Sequence, residues 1–437
     1  MIDDRVVLPH KVIREKPDRG PVGATMHACI VVRIYGRSQC RHAFEIRDFL
    51  SRSVVRFTWT PIDTDDDCTH LLGLSLADAG LPIVDLPDGT RLRAPSVAEI
   101  AARLGWVSDP KLQEYDVSIY GAGPAGLSAA VYAASEGLSV AVLEREAVGG
   151  QAGYSSLIEN YLGFPGGISG GDLAERARQQ AVEFGAELLL MRDGLSTRFA
   201  DGRVHTTLGD GTTVVARASV CATGVEWRRL GLDREEEFIG SGLFYGAGTS
   251  EAPTCSDLEV FVVGGGNSAG QAAMNLSSFA KRVTMLVRGQ TLSATLSSYL
   301  EERVARQPNV DIRTDARVVG LEGGKGLTAI HIEDSRTGEV EVVETQRLFV
   351  CIGGDPATEW AAGTPIARDD HGFVITGPDL PTSDWPLDRA PFYLETSVPG
   401  FFAAGDVRRN SVKRVASAVG DGAMAITFVH HHLASSG

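Results

Sequence analysis

The chain has 437 residues, 56 acidic against 41 basic side chains, a formal net charge of -15, 50 glycines and 6 cysteines. At roughly 150 residues per domain, that length predicts about three domains whose cores need no covalent staples. The acidic balance argues against nucleic acid or an anionic membrane as partner, because both reward clustered Lys and Arg.

No apolar run approaches about 18 residues, and the opening MIDDRVVLPHK is not a basic leader, so a soluble, cytoplasmic protein is expected. Cys29, Cys40, Cys68, Cys221, Cys255 and Cys351 are too scattered for a disulfide framework, and no two form a CxxC pair. Usage of about 7% would give about 31 glycines, so about 19 more call for specific turns.

In chain order, residues 1–27 carry Pro9, Pro17 and Pro21 without sustained periodicity and read as an extended tail. Residues 28–108 read as a compact α/β unit. A strand CIVVRIY starts at Cys29, followed by a helix HAFEIRDFLSR and a strand RFTWTPI. An acidic loop at Asp65, Asp66 and Asp67 leads to a strand near Leu81 to Leu86, a turn at Pro87 to Thr90 and a last helix from Ser96 to Leu104. Residues 105–114, with Pro110, read as a linker.

The rest of the chain carries one pattern twice. The strand YDVSIY runs into Gly121-Ala122-Gly123-Pro124-Ala125-Gly126, a helix of small residues, and the strand SVAVLE ending at Glu144. Later, LEVFVV runs into Gly264-Gly265-Gly266-Asn267-Ser268-Ala269, a helix, and RVTMLV ending at Val287 and Arg288. The spacing from first glycine to strand end is 23 residues in both. Glycines in such a turn let a pyrophosphate approach backbone N–H groups at the positive end of a helix. An acid at the second strand's end accepts hydrogen bonds from both ribose hydroxyls, so Glu144 points to an adenine dinucleotide lacking a 2′-phosphate. In the second copy an uncharged residue followed by Arg288 suits a 2′-phosphate, which favours NADPH over NADH. Asp406, after the strand FFAAG, is a candidate FAD anchor through a ribitol hydroxyl.

Residues 115–437 resemble the low-molecular-weight thioredoxin reductase family of flavoproteins. The resemblance rests on GAGPAG at 121–126, GGQ at 149–151, IENYLGFPG at 158–166, ATG at 222–224, GGGNSA at 264–269, LFVCIGG at 348–354 and FFAAGDV at 401–407. It implies an α/β fold of two Rossmann-like dinucleotide-binding domains. An FAD domain is split into 112–228 and 349–437, with an NAD(P)H domain, 229–348, inserted between. It assigns FAD contacts to Gly121, Gly123, Pro124, Ala125, Glu144, Gly150, Gln151, Asn160, Ala222, Thr223, Gly224, Gly405, Asp406, Arg414, Val415 and Ala416, and NADPH contacts to Gly264, Gly266, Asn267, Ser268, Ala269 and Arg288. It also implies a homodimer, and a nicotinamide domain that rotates between flavin-reducing and flavin-oxidising arrangements. The departure matters more: aligned on Gly242, the family's two redox cysteines become Gly246 and Thr249, and its acidic proton donor falls on Ser250, with Glu251 next to it.

The amino-terminal unit resembles a glutaredoxin or thioredoxin-like domain. IYGRSQ leads into Cys40-Arg41-His42-Ala43, where a glutaredoxin has CPYC, and Leu81-Pro82-Ile83 sits where that fold has its cis-proline. Cys40, beside Arg37, Arg41 and His42, is a candidate reactive thiol; the bland alternative is a docking or dimerisation module.

Three functions are weighed. In the first, an enzyme passes electrons between NADPH, FAD and a small-molecule acceptor or dioxygen directly at the flavin, with room over the ring from the small residues at 246–249. Tyr245 and Glu251 are its candidate proton carriers. The second is an atypical disulfide reductase using Cys40; the third is a flavin redox sensor or interaction protein. No metal site is expected: His430-His431-His432 reads as a solvated helix end.

Overall fold

Residues 31–435, apart from 247 and 293–295, are described by the computed structural model; the expected tail, residues 1–27, and Cys29 lie outside the described residues. Alternation of apolar and polar side chains in VRIYG makes β1 (Val32–Gly36), whose buried face is Val32, Ile34 and Gly36. It is followed by α1 (Arg41–Arg52), β2 (Phe57–Pro61), α2 (Asp65–Leu72), β3 (Ile83–Asp85), β4 (Arg91–Arg93) and α3 (Val97–Arg103). These strands form a four-stranded sheet in the order β2-β1-β3-β4, with β1 parallel to β2 and antiparallel to β3. The Leu81–Pro82 peptide bond is cis.

Here one expectation is corrected. Asp65, Asp66 and Asp67 do not form a loop; they are the first turn of α2. Thr64 caps that turn by accepting from the Asp67 N–H, while the Asp67 carboxylate accepts from the Thr64 N–H and hydroxyl. Three carboxylates at the positive end of a helix are favourable.

The body continues through β5 (Tyr115–Tyr120), α4 (Pro124–Ser135), β6 (Val140–Glu144), α5 (Gly170–Phe184), β7 (Glu187–Leu190), β8 (Gly194–Ala200), β9 (Arg203–Leu208) and β10 (Thr213–Cys221). Next come β11 (Val225–Trp227), α6 (Glu235–Phe238), β12 (Leu243–Tyr245), β13 (Glu259–Val263), α7 (Asn267–Ser277), β14 (Arg282–Leu286), α8 (Ser298–Ala305) and β15 (Val310–Arg313). The chain closes with β16 (Ala316–Gly323), β17 (Leu327–Asp334), β18 (Val340–Glu344), β19 (Leu348–Val350), β20 (Gly354–Pro356), β21 (Phe401–Ala403) and α9 (Val415–Ser435).

A seven-stranded sheet has the order β7-β6-β5-β10-β9-β8, with β21 pairing in parallel with β10. A five-stranded parallel sheet has the order β12-β19-β13-β14-β15, beside a three-stranded antiparallel sheet β16-β17-β18. The chain passes between these bodies through β11 and β20, which pair antiparallel. Two α/β sheets, one wholly parallel and inserted in a mixed one whose β7-β6-β5-β10 part is parallel, explain the doubled strand–glycine–helix–strand pattern. Small side chains on α4 let α9 approach closely, so that Ala129, Ala130 and Ala133 share a core with Ala425, Ile426 and Val429. Among the described residues, no helix is long and apolar enough to cross a membrane.

Candidate functional site

The site starts from two helices that have glycine at the cap position. α2, α3 and α5 have their first free N–H groups met by Thr64, Ser96 and Ser169. α4 and α7 begin at Gly123 and Gly266, with no side chain in that role. Their exposed donors and dipoles are suited to phosphate oxygens. Gly121 holds φ +98, and a Cβ there would lie 2.6 Å from the Ala222 carbonyl oxygen, which is why the loop can turn this tightly against the end of β10.

A cavity of about 1020 Å³ opens over α4. Of the residues expected at FAD, its wall includes Gly121, Gly123, Pro124, Ala125, Glu144, Gly150, Gln151, Ala222, Thr223, Gly224, Asp406, Arg414 and Val415. Asn160, Gly405 and Ala416 are not in the wall; Gly405 instead donates its N–H to Asp421 and lies under α4 at Ala125. A Cβ built on Gly150 would come within 3.2 Å of the Gly123 Cα, so two bare backbones form a cradle that a side chain would fill.

Glu144 is buried, its two oxygens accepting from the N–H groups of Ala122 (2.8 Å) and Glu146 (2.9 Å). Burial pushes its carboxyl above the usual range, against those hydrogen bonds. Asp406 is likewise raised by burial, with the Lys413 ammonium opposing. Gln151 is pinned by donating to the Val225 carbonyl at 2.8 Å.

From the second glycine loop, Ser268 lines this same cavity, together with Gln271 one turn along α7. Gly264, Gly266, Asn267, Ala269 and Arg288 do not. The Asn267 side chain accepts from the backbone N–H and hydroxyl of Ser297, which ties the start of α7 to the start of α8. Arg288 is exposed and has no ion-pair partner among the described residues.

All three catalytic candidates lie outside the cavity wall. The Tyr245 hydroxyl donates to Glu235 at 2.5 Å and accepts from the Leu230 N–H, with Arg229 stacked 4.7 Å from its ring. Burial and the Glu235 carboxylate raise its phenol well above the ordinary value. Glu251 is 1% exposed and receives the Arg47 guanidinium of α1 at 2.8 Å. Cys40 caps α1 at half-burial and makes no capping hydrogen bond from its side chain.

The expected opening is also filled at Gly246 and Thr249. A Cβ on Gly246 would lie 2.9 Å from the Trp227 ring, and the Thr249 hydroxyl donates to the Tyr154 carbonyl at 2.6 Å. No cysteine occurs among the lining residues, and burial pushes the thiol of Cys255 up to about 11 and that of Cys351 to about 12, so both stay protonated.

Sequence reasoning missed part of the wall. Trp227 and Tyr154 meet edge to face, centroids 5.6 Å apart, and the Arg52 guanidinium from α1 lies 4.6 Å from the Tyr154 ring centroid; all three line the cavity. Nothing local marks Arg52, whose role depends on where α1 packs.

A family model described as "Pyridine nucleotide-disulphide oxidoreductase" matches residues 115–422. The chain belongs to the pyridine nucleotide-disulphide oxidoreductase family. Within that family it is thioredoxin reductase-like: it is 35% identical over 312 residues to a thioredoxin reductase of Treponema pallidum (strain Nichols), covering 71% of this chain and 95% of that one. The thioredoxin reductase of Lactococcus lactis in its FR conformation superposes with a TM-score of 0.67 at 27% identity, over 74% of this chain and 99% of that one. The thioredoxin reductase of T. acidophilum gives 0.66 at 30% identity, over 75% and 100%. The match to the oxidoreductase family begins at β5, so the four-stranded sheet and α1 lie before it.

Proposed function

We propose that this chain is an FAD-dependent oxidoreductase that accepts hydride from NADPH and delivers two electrons to a small-molecule acceptor, or to dioxygen, without a dithiol relay. The observation that carries the reading is that both glycine-loop helices contribute to one cavity whose described wall contains no cysteine. FAD, bound with its pyrophosphate at the start of α4, supplies the two-electron carrier. The protein's part is to hold it: Glu144 for the adenosine ribose, Gly123 and Gly150 for the pyrophosphate, Asp406 for the ribitol, and the start of α9 at Arg414 and Val415 for the flavin's pyrimidine edge.

Ser268 and Gln271 bring the α7 terminus to the same space, which supports direct transfer from a nicotinamide held there. Arg288, exposed and without an ion-pair partner among the described residues, favours NADPH over NADH. The acceptor takes two electrons and one proton as hydride, with a second proton from solvent where its chemistry requires one. Gly246 and Thr249, in place of the relatives' dithiol, are packed against Trp227 and Tyr154, so the acceptor's route is the cavity itself. The same reading divides the chain into 28–108, an FAD-binding domain of 112–228 with 349–437, and an NAD(P)H-binding domain of 229–348.

The test is anaerobic mixing of purified, FAD-loaded protein with NADPH. The yellow absorbance should bleach within seconds and return on adding a quinone or oxygen; absence of bleaching by either nicotinamide overturns the reading.

A further inference from the structure

α1 has work to do outside its own sheet. Its first half lies on the segments flanking the five-stranded sheet: Phe44 packs on Phe244 with ring centroids 5.1 Å apart. Gly240 has no side chain to hold Arg41 and Phe44 off, and the Arg47 guanidinium donates to Glu251 at 2.8 Å. Just before the helix, the Gln39 amide donates to the Leu327 carbonyl. Its last turn lies on the seven-stranded body, where Arg52, held by Asp48 of the same helix (2.9 Å), pairs with Glu146 (3.2 Å) and stacks over Tyr154. One helix of 12 residues therefore touches both bodies, whose covalent connection runs through the short β11–β20 pair.

The Arg47–Glu251 contact is the most demanding of these. The two residues are 2% and 1% exposed, and Arg47 has Nε and Nη1 without a hydrogen-bond partner, its guanidinium lying 4.0 Å over the Trp59 ring. Arg347, on the five-stranded side, adds a second positive charge facing Glu251. A buried carboxylate between two arginines tolerates little displacement, because separating the pair leaves charge stranded away from water.

We propose that Arg47 is a positioning residue for hydride transfer: through Glu251 it fixes the body carrying α7 so that Ser268 and Gln271 stay at the flavin cavity. The inference rests on the reading above for the reaction, and on geometry alone for the fixation. It makes the amino-terminal unit a fastener that holds donor and acceptor sites at one spacing during turnover, in place of the domain rotation that the resemblance implies.

The experiment uses the full-length, FAD-loaded protein and the variants Glu251→Gln, Arg47→Met and the paired Arg47→Met/Glu251→Leu. Two readouts are taken: amide hydrogen exchange in 225–227 and 354–356, and single-turnover bleaching at saturating NADPH. Either single substitution should raise exchange at the connecting strands and slow bleaching by about 10- to 100-fold, the penalty of a small misplacement of reacting groups. The paired apolar variant leaves only Arg347 without a carboxylate, where Glu251→Gln leaves both arginines so, and should bleach at least about 3-fold faster than Glu251→Gln with less exchange at the connecting strands. Lower melting temperature with unchanged exchange and unchanged bleaching would overturn the proposal and leave Arg47 a merely structural residue. Should Arg47→Met fail to fold, Glu251→Gln, which keeps shape and a hydrogen-bond acceptor, decides the question alone. If the parent protein is bleached by no nicotinamide, the reaction reading fails while the exchange measurement still tells whether Arg47 fixes the two bodies.

Discussion

Replacing Glu144 with alanine should strip the protein of FAD. The carboxylate sits at the end of β6, 9% exposed, and holds the glycine loop by accepting from Ala122 N–H at 2.8 Å. The ribose of a bound adenosine offers it two hydroxyl donors. Each hydrogen bond to a charged acceptor contributes about 1.5–3 kcal/mol, so losing both weakens FAD by about 3–6 kcal/mol, roughly 10²- to 10⁴-fold in Kd. Glu144→Gln keeps the volume and one acceptor oxygen and should lose about half as much. The assay is titration of the deflavinated protein with FAD, together with flavin content after gel filtration. A Glu144→Ala protein that binds FAD within threefold of the parent would refute the placement of the ribose.

The pH dependence carries a second check on Glu144. Burial raises this carboxyl, and raises Asp406 too, so acidification protonates both above the usual carboxylate range. In the proposed function FAD binding uses the ionised forms, so affinity should begin to fall at a pH higher than an ordinary glutamate would give. For the protein alone the sign is opposite: a carboxyl whose pKa rises on folding stabilises the fold at acid pH, and that contribution is lost as pH rises through the folded value. Flavin release and unfolding should therefore separate on acid titration.

Three other outcomes are expected. Gly126→Ala places a Cβ 1.9 Å from the Gly121 carbonyl oxygen and 3.3 Å from Ile119 Cγ2, which pushes α4 off β5; it should cost about 3 kcal/mol or more and yield flavin-poor protein with a lowered melting temperature. Arg288→Ala should raise the KM for NADPH about 10-fold and leave that for NADH unchanged, a split read from steady-state kinetics. Cys40→Ser should leave NADPH-driven reduction of a small quinone unchanged; a collapse of that rate would point to a thiol relay.

What the sequence revealed follows from the range of each interaction. The two strand–glycine–helix–strand units are written in contiguous residues, from Tyr115 to Glu144 and from Glu259 to Leu286, so periodicity and turn chemistry expose them. Asp65 to Asp67 were misread because an acidic triplet looks like a solvated loop unless Thr64 is recognised as its cap. Glu251 was judged by its neighbours in the chain, yet its environment is set by Arg47, 204 positions away. The same distance problem hid Arg52 from the cavity wall, and made the glycines at 246 and 248 look like open space when Trp227 and Phe349 fill it.

The pairing of β21 with β10, Ser219 against Phe401, has a consequence for the order of assembly. The seven-stranded sheet lacks a strand until β21, at Phe401–Ala403, has left the ribosome, whereas every strand of the five-stranded sheet lies between Leu243 and Val350. The inner body can thus form first, and closing β11 on β20 shortens the loop that β21 must bridge from about 180 to about 50 residues, easing closure by about 1 kcal/mol. The inserted body is thereby placed to serve as a splint during synthesis: the cavity over α4, whose wall includes Asp406 and the start of α9, closes only after the inserted body has been made.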